Sequence, residues 1–121
     1  MDKKLKISLL LDFYGELLSD KQRVITENYY NNDFSLSEIA DNLGITRQGV
    51  YDNVKRTENL LLEMEEKIGL YKRFELMQNA LDDISSKATT IINENKSLDN
   101  INISIEKNAS DILQIVSSLK E

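Results

Sequence analysis

The stretch SLSEIADNLGITRQGVYDNVKRT, from Ser35 to Thr57, decides the fold. Ser35 and Glu38 have the spacing of a capping box, in which each side chain bonds a backbone N–H at a helix start. Gly44 stands where a helix end requires left-handed backbone, and Thr46 is a good cap for a following helix. These signals predict two short helices joined by a tight turn, which is a helix-turn-helix.

Apolar residues at helical spacing predict the buried side of each helix. In the first helix they are Leu36, Ile39, Ala40 and Leu43. In the second helix Val50 and Val54 face inward, one turn apart. The side chains left pointing outward are the candidate nucleic-acid contacts: Arg47, Gln48, Tyr51, Lys55 and Arg56.

The outward residues have chemistry suited to nucleic acid. Arg47 and Gln48 lie at the start of the second helix, the part that enters the major groove in this motif, where Arg suits guanine and Gln suits adenine. Lys55 and Arg56 would reach phosphates. The alternatives are an αα-corner with no nucleic-acid role, in which Arg47 and Lys55 are ordinary surface cations, and a Tyr51 that packs at the rim rather than stacking on a base.

Three runs of sequence carry a resemblance to known proteins. They are LLLDFYGELLSDKQR at Leu9–Arg23, SLSEIA at Ser35–Ala40 and ITRQGVYDNVKRTENLL at Ile45–Leu61. The stretch Leu17–Leu61 resembles region 4 of bacterial sigma factors. More closely, Leu5–Tyr71 resembles the YlxM-like family of small helix-turn-helix proteins.

The resemblance implies an all-α homodimer, encoded beside the signal recognition particle GTPase, with a regulatory or accessory role in that pathway. The implied partners are the GTPase, the particle RNA, or DNA. The motif taken alone favours a sequence-specific DNA-binding transcriptional regulator instead. Gly49 departs from the family pattern, which usually has Ala there, and Gly weakens a helix.

Composition narrows the possible functions. The 121 residues contain no His and no Cys, so the commonest general base and thiolate chemistry are excluded and the usual ligands of zinc are missing. No glycine-rich phosphate loop is present. The sequence therefore predicts a protein that is not an enzyme and that has no cofactor.

The charge distribution argues against tight binding to DNA. The net charge is −6, and residues 46–73 carry 6 Lys/Arg against 5 Asp/Glu. Phosphate attraction supplies most of ordinary DNA affinity. We therefore expect any binding to be weak, salt-sensitive and helped by dimerisation or a partner.

Flanking segments complete the predicted helix-turn-helix domain, residues 1–73. Leu5–Leu18 reads as a first helix. Its residues at the helical period are Leu5, Leu9, Asp12 or Phe13 and Leu17, with Leu10 and Leu18 beside them. Ser19 would cap a second helix reaching Asn31. The apolar stripe of the second helix of the motif continues beyond Thr57, so Gly69 is interpreted as a kink or a local fraying of a continuing helix.

Residues 74–121 are predicted to form long helices that build a dimer seam. Six residues recur at alternating steps of three and four, the spacing of a packing seam: Phe74, Met77, Leu81, Ile84, Ala88 and Ile91. A break is expected at 93–95, followed by a last helix that Ser97 caps. The apolar residues of that helix are Leu98, Ile101, Ile105, Ile112, Val116 and Leu119.

The last segment is ambiguous in its conformation, and its apolar residues need a partner surface. Residues 100–105, within the ambiguous stretch 98–106, alternate like a strand, but no second strand is evident, so helix is preferred. An intrachain hairpin would cover part of the two stripes, and a second copy of the chain would cover the rest. No segment reaches membrane-spanning length and no signal peptide is recognisable, so a cytoplasmic protein is expected.

Overall fold

The computed structural model describes residues 2–120, and over that range the protein is all-α, as predicted. Two compact units, Met1–Lys72 and Arg73–Glu121, divide the chain. Six α-helices and no β-strand occupy the described residues. The helices are α1 (Lys3–Tyr14), α2 (Asp20–Tyr30), α3 (Leu36–Leu43), α4 (Arg47–Ile68), α5 (Leu70–Lys96) and α6 (Ile103–Lys120).

The core of the first unit is built around α4, which packs against α1, α2 and α3. Val50, Val54 and Leu61 lie on the inner side of α4 and are at most 3% exposed. Ile25 and Ile39 meet them from α2 and α3, both fully buried. Because the short helices α2 and α3 could not persist alone, this shared core is what holds the motif in shape.

The predicted apolar stripe of the first helix was right only in part, because Leu10 and Leu18 are buried whereas two other members are not. Leu5 and Leu17 are 52% and 65% exposed, whereas Leu10 and Tyr14 are fully buried. The helix ends at Tyr14 and a 3₁₀ turn, Gly15–Leu17, follows. Three consecutive leucines at 9–11 fit more than one helical stripe, so the periodicity alone could not choose the buried face.

Gly69 ends α4 rather than kinking a continuous helix. Its φ of +68° is left-handed, and its N–H donates to the Glu65 carbonyl. The first N–H groups of α5 then find partners outside their own helix. Leu70 N–H donates to the Tyr14 hydroxyl at 3.1 Å, while Tyr71 and Lys72 N–H donate to the Glu65 carboxylate at 3.0 and 3.1 Å. This set of bonds ties the start of α5 to α1 and α4.

The predicted break and last helix were displaced by several residues. α5 continues through 93–95 to Lys96, and α6 begins at Ile103 rather than after Ser97. Asn95 is buried, and its side chain both donates to the Asn102 carbonyl at 2.9 Å and accepts from the Asn102 N–H at 3.1 Å. Asn102 in turn accepts from Ile105 N–H at 3.1 Å and so caps α6.

Within the second unit, α6 runs back along α5. Asn95 meets Asn102 at the connection, and Lys120 pairs with Asp82 at the far end. The buried side chains of α5 are spaced by seven, at Leu81, Ala88 and Asn95. Ala109 and Val116 continue this spacing on α6. Seven residues are close to two helical turns, so these residues share the side on which the two helices meet.

The large apolar residues of the hairpin lie mostly outside this contact. They too are spaced by seven, and each is 39–62% exposed. We call them the outer stripe: Met77, Ile84, Ile91, Leu98, Ile105, Ile112 and Leu119. The hairpin thus buries Leu81 and Val116 together with small and polar residues, and it leaves its longest apolar stripe exposed.

Candidate nucleic-acid interface

The local signals of the motif operate as predicted. Glu38 N–H donates to the Ser35 hydroxyl at 3.0 Å, and Ser35 N–H donates to the Glu38 carboxylate at 3.2 Å, which completes the capping box. Gly44 adopts a φ of +67° at the end of α3. Thr46 accepts from Gly49 N–H at 3.0 Å and starts α4. These side chains therefore supply partners for backbone groups that the helix ends would leave unbonded.

All five candidate contacts lie on the exposed side of α4. Tyr51 is 44% exposed, and Arg47, Gln48, Lys55 and Arg56 are also exposed. The opposite side of the helix is occupied by the core, so rotation of α4 cannot hide them. The arrangement is a rigid helix with one polar surface available to a partner.

Several side chains of this surface are already bonded within the protein. Gln48 donates to the Asp52 carboxylate at 3.0 Å. The Lys55 ammonium lies 5.7 Å from the centre of the Tyr51 ring, within cation–π range. Among residues 2–120, Arg47 and Arg56 have no ion-pair partner. These two arginines therefore carry the positive charge most readily available to a phosphate or a base.

Glu58 is a buried carboxylate behind this surface that the sequence analysis missed. It is 4% exposed and accepts a hydrogen bond from the Tyr30 hydroxyl. Its other oxygen lies 3.1 Å from the Lys3 ammonium and 3.6 Å from that of Lys55. The helical period could have revealed it, because position 58 falls between Val54 and Leu61 on the buried side of α4.

Neighbouring charges shift the pKa values of Lys3 and Lys55 in opposite directions. The hydrogen bond to Glu58 raises the pKa of Lys3. The adjacent Lys3 ammonium lowers the pKa of Lys55. Because the Lys55 ammonium lies 3.6 Å from the Glu58 carboxylate, a phosphate that binds Lys55 must share it with Glu58.

The six candidate dimer residues fall into a buried group and an exposed group. Leu81 and Ala88 are buried in the hairpin, at 7% and 2% exposure, and are not open to a second chain. Met77, Ile84 and Ile91 belong to the outer stripe. The remaining candidate, Phe74, is 48% exposed.

Other kinds of site find no support in the described part of the chain. Residues 2–120 contain no group of three or more acidic side chains arranged to hold a metal ion. None of the helices in that range is both long and apolar enough to cross a membrane.

Comparison with known proteins gives consistent matches. The model of the UPF0122 family, described as "Putative helix-turn-helix protein, YlxM / p13 like", matches residues 1–101. A UPF0122 protein of Thermoanaerobacter sp. is 49% identical over 114 residues, which are 94% of this chain and 97% of the relative. One from Acetivibrio thermocellus is 47% identical over 106 residues, covering 88% and 85%.

The matches reach further than the resemblance recognised in the sequence, which covered Leu5–Tyr71. The family model covers all of α5 as well. On this similarity, the chain belongs to the UPF0122 family of YlxM/p13-like helix-turn-helix proteins.

Proposed function

We propose that this protein is a helix-turn-helix regulatory or accessory protein that contacts nucleic acid weakly through α4. The observation that carries the proposal is the exposed polar surface of α4, defined above by five side chains. A core on one side and polar groups on the other is the arrangement by which a helix-turn-helix presents its second helix to the major groove. The family to which the chain belongs is itself described by this motif.

Charge limits the strength of the contact. The chain has a net charge of −6, and Asp52 lies on the same surface of α4. Gln48 can bind DNA only when its hydrogen bond to Asp52 breaks. Lys55 binds a phosphate while it also lies beside the Glu58 carboxylate. Part of the binding free energy is therefore spent on exchanging internal bonds.

The contact is tested first at Arg47. Arg47→Ala should weaken binding to duplex DNA by about 1–3 kcal/mol, because alanine cannot bond to a base or a phosphate. The measurement is a fluorescence-anisotropy titration with labelled duplex at several salt concentrations. Lys67→Ala is the matched control, since Lys67 is exposed near the opposite end of the same helix. Equal affinities of the wild type and Arg47→Ala would contradict the proposal.

The finer role we propose is that of an accessory to the signal recognition particle pathway. Support comes from the resemblance to YlxM-like proteins, which are encoded beside the particle's GTPase, and from the low positive charge of α4, which suits a protein that acts with a partner. The protein should co-purify with the GTPase or with the particle RNA. Ribonuclease treatment of the extract distinguishes these two partners.

The alternative is a sequence-specific transcriptional regulator. The motif favours it, because Arg47 and Gln48 stand at the end of α4 that reads bases in this class of protein. Recovery of one defined promoter DNA, without the GTPase or the particle RNA, would establish this alternative and exclude the accessory role.

The proposed assembly is a homodimer through the outer stripe. Seven large apolar residues on one surface form a patch larger than soluble monomers usually expose. Two such hairpins facing each other would make a four-helix bundle with the stripes in its core. A two-fold dimer would carry two α4 surfaces, and avidity would then strengthen a weak contact.

A further inference from the structure

The buried carboxylate of Glu58 holds two cations that come from different helices. Lys3 is the first residue of α1, and Lys55 lies in the middle of α4. Both ammonium groups approach the same oxygen, Oε2, at 3.1 and 3.6 Å. The two ammonium groups therefore lie close together at the edge of the α4 surface.

This cluster has an excess of positive charge on its exposed side. The carboxylate is 6% exposed at its side chain, whereas Lys3 and Lys55 are 60% and 46% exposed. Glu58 also accepts from the Tyr30 hydroxyl, which spreads its charge further into the protein. Two ammonium groups against one buried carboxylate leave one net positive charge facing solvent.

The surroundings of the cluster carry charges of both signs. The cluster borders a concavity of about 480 Å³, which Asp33 and Lys4 also line. Asp33 is paired with Lys4, so its charge is already compensated. Asp2 is the remaining acidic group of that concavity. A phosphate approaching from the α4 side would meet Lys3 and Lys55 together.

The position of Lys55 on α4 indicates which anion Lys3 and Lys55 would bind. Lys55 lies about two turns after Arg47, at the distance where a helix lying in the major groove passes the DNA backbone. Phosphate contacts of this kind fix the register of a protein on the duplex without reading bases. We propose that Lys3 and Lys55, held side by side by Glu58, form a contact for one backbone phosphate of the duplex that α4 binds. This inference rests on the proposed function, and it adds α1 to the binding surface.

Salt dependence of binding tests the contact directly. A plot of log affinity against log salt has a negative slope, which becomes less steep by about 0.9 for each phosphate of duplex DNA that the protein no longer neutralises. Lys3→Gln should make the slope less steep by about that amount. Lys3→Arg keeps the charge and should therefore keep the wild-type slope. Lys67→Gln is the control, since Lys67 is exposed near the opposite end of α4. Circular dichroism melts at the same salt concentrations check that each variant is folded.

Chemical footprinting of the wild-type protein makes the test independent of any variant. Acetylation of lysines, read by mass spectrometry, should be slower at Lys3 and Lys55 when duplex DNA is bound and unchanged at Lys87. Inorganic phosphate at equal ionic strength should not give this protection. If it does, the pair is a site for free phosphate, and the backbone contact is refuted.

The outcomes separate this inference from the proposed function. If the wild type binds duplex and Arg47→Ala weakens it, but Lys3→Gln leaves the slope unchanged and Lys3 stays reactive, the pair is only a structural ion network. If the wild type does not bind duplex at all, both proposals fail together.

Discussion

At the scale of single residues, Glu65 shows how one carboxylate can connect three helices. Its side chain accepts from the Tyr14 hydroxyl at 2.7 Å and from the N–H groups of Tyr71 and Lys72. Burial alone raises the pKa of Glu65, but these hydrogen bonds, with the nearby charge of Lys6, outweigh it and lower the pKa below its ordinary value of 4.5. The ionised form is therefore the one that the fold stabilises.

This shift predicts a pH dependence of stability. Because the folded-state pKa lies below that of the unfolded chain, ionised Glu65 contributes stability above about pH 4.5, and the contribution disappears as the pH falls through the folded-state pKa. Glu65→Gln should then destabilise the protein at neutral pH and make much less difference at about pH 3. Urea denaturation at the two pH values measures this difference.

Glu63→Gln is the control for this prediction, since Glu63 is exposed on the same helix and should change little at either pH. A destabilisation by Glu65→Gln that is equally large at both pH values would show that the effect is one of shape rather than of charge.

At the scale of secondary-structure elements, the connection between α5 and α6 depends on Asn95. Asn95 is 3% exposed, and its amide satisfies both the N–H and the carbonyl of Asn102. An apolar residue at this position would remove both of these part-buried hydrogen bonds. A buried amide of this kind can also specify register, because a shift of α6 along α5 would break both bonds.

Asn95→Ala should therefore loosen the hairpin. We expect a cost of about 1–3 kcal/mol from the backbone groups left unpaired. Hydrogen–deuterium exchange should show faster exchange throughout α6, with the amides of α3 unchanged. Asn93→Ala is the matched control, because Asn93 is exposed two residues earlier in α5. Unchanged exchange in α6 would mean that the apolar contacts of the hairpin are sufficient to hold it.

At the scale of the whole molecule, the open question is what covers the outer stripe. In the proposed dimer, Ile84 lies in the interface, whereas Leu81 belongs to the interior of its own hairpin. Ile84→Asp should dissociate the dimer and leave the monomer folded. Leu81→Asp should instead unfold the hairpin, because it places a charge among buried side chains.

Sedimentation velocity over a range of protein concentrations, with far-ultraviolet circular dichroism, distinguishes these results. Asp83→Asn, an exposed position next to Ile84, is the control for a change of charge alone. A wild type that remains monomeric at every micromolar concentration would refute the dimer and leave the stripe available to a different partner.

The sequence by itself determined the features that depend on local chemistry. The capping box of Ser35 and Glu38, the left-handed Gly44 and the Thr46 cap are each set by the preferences of one or two residues, and all three are found as predicted. The exposed side of α4 follows from the same logic, because Val50 and Val54 are spaced so as to share one buried face.

Only the tertiary structure decided which of several equivalent faces would be buried. In α1 a run of leucines allowed more than one choice, and the Tyr14 hydroxyl, bonded to Glu65 and Leu70, lies on the face that the fold uses. In α5 only Leu81 and Ala88 of the predicted seam are buried, together with Asn95, whereas Met77, Ile84 and Ile91 stay exposed. Such choices depend on contacts between distant parts of the chain, which helical periodicity does not contain.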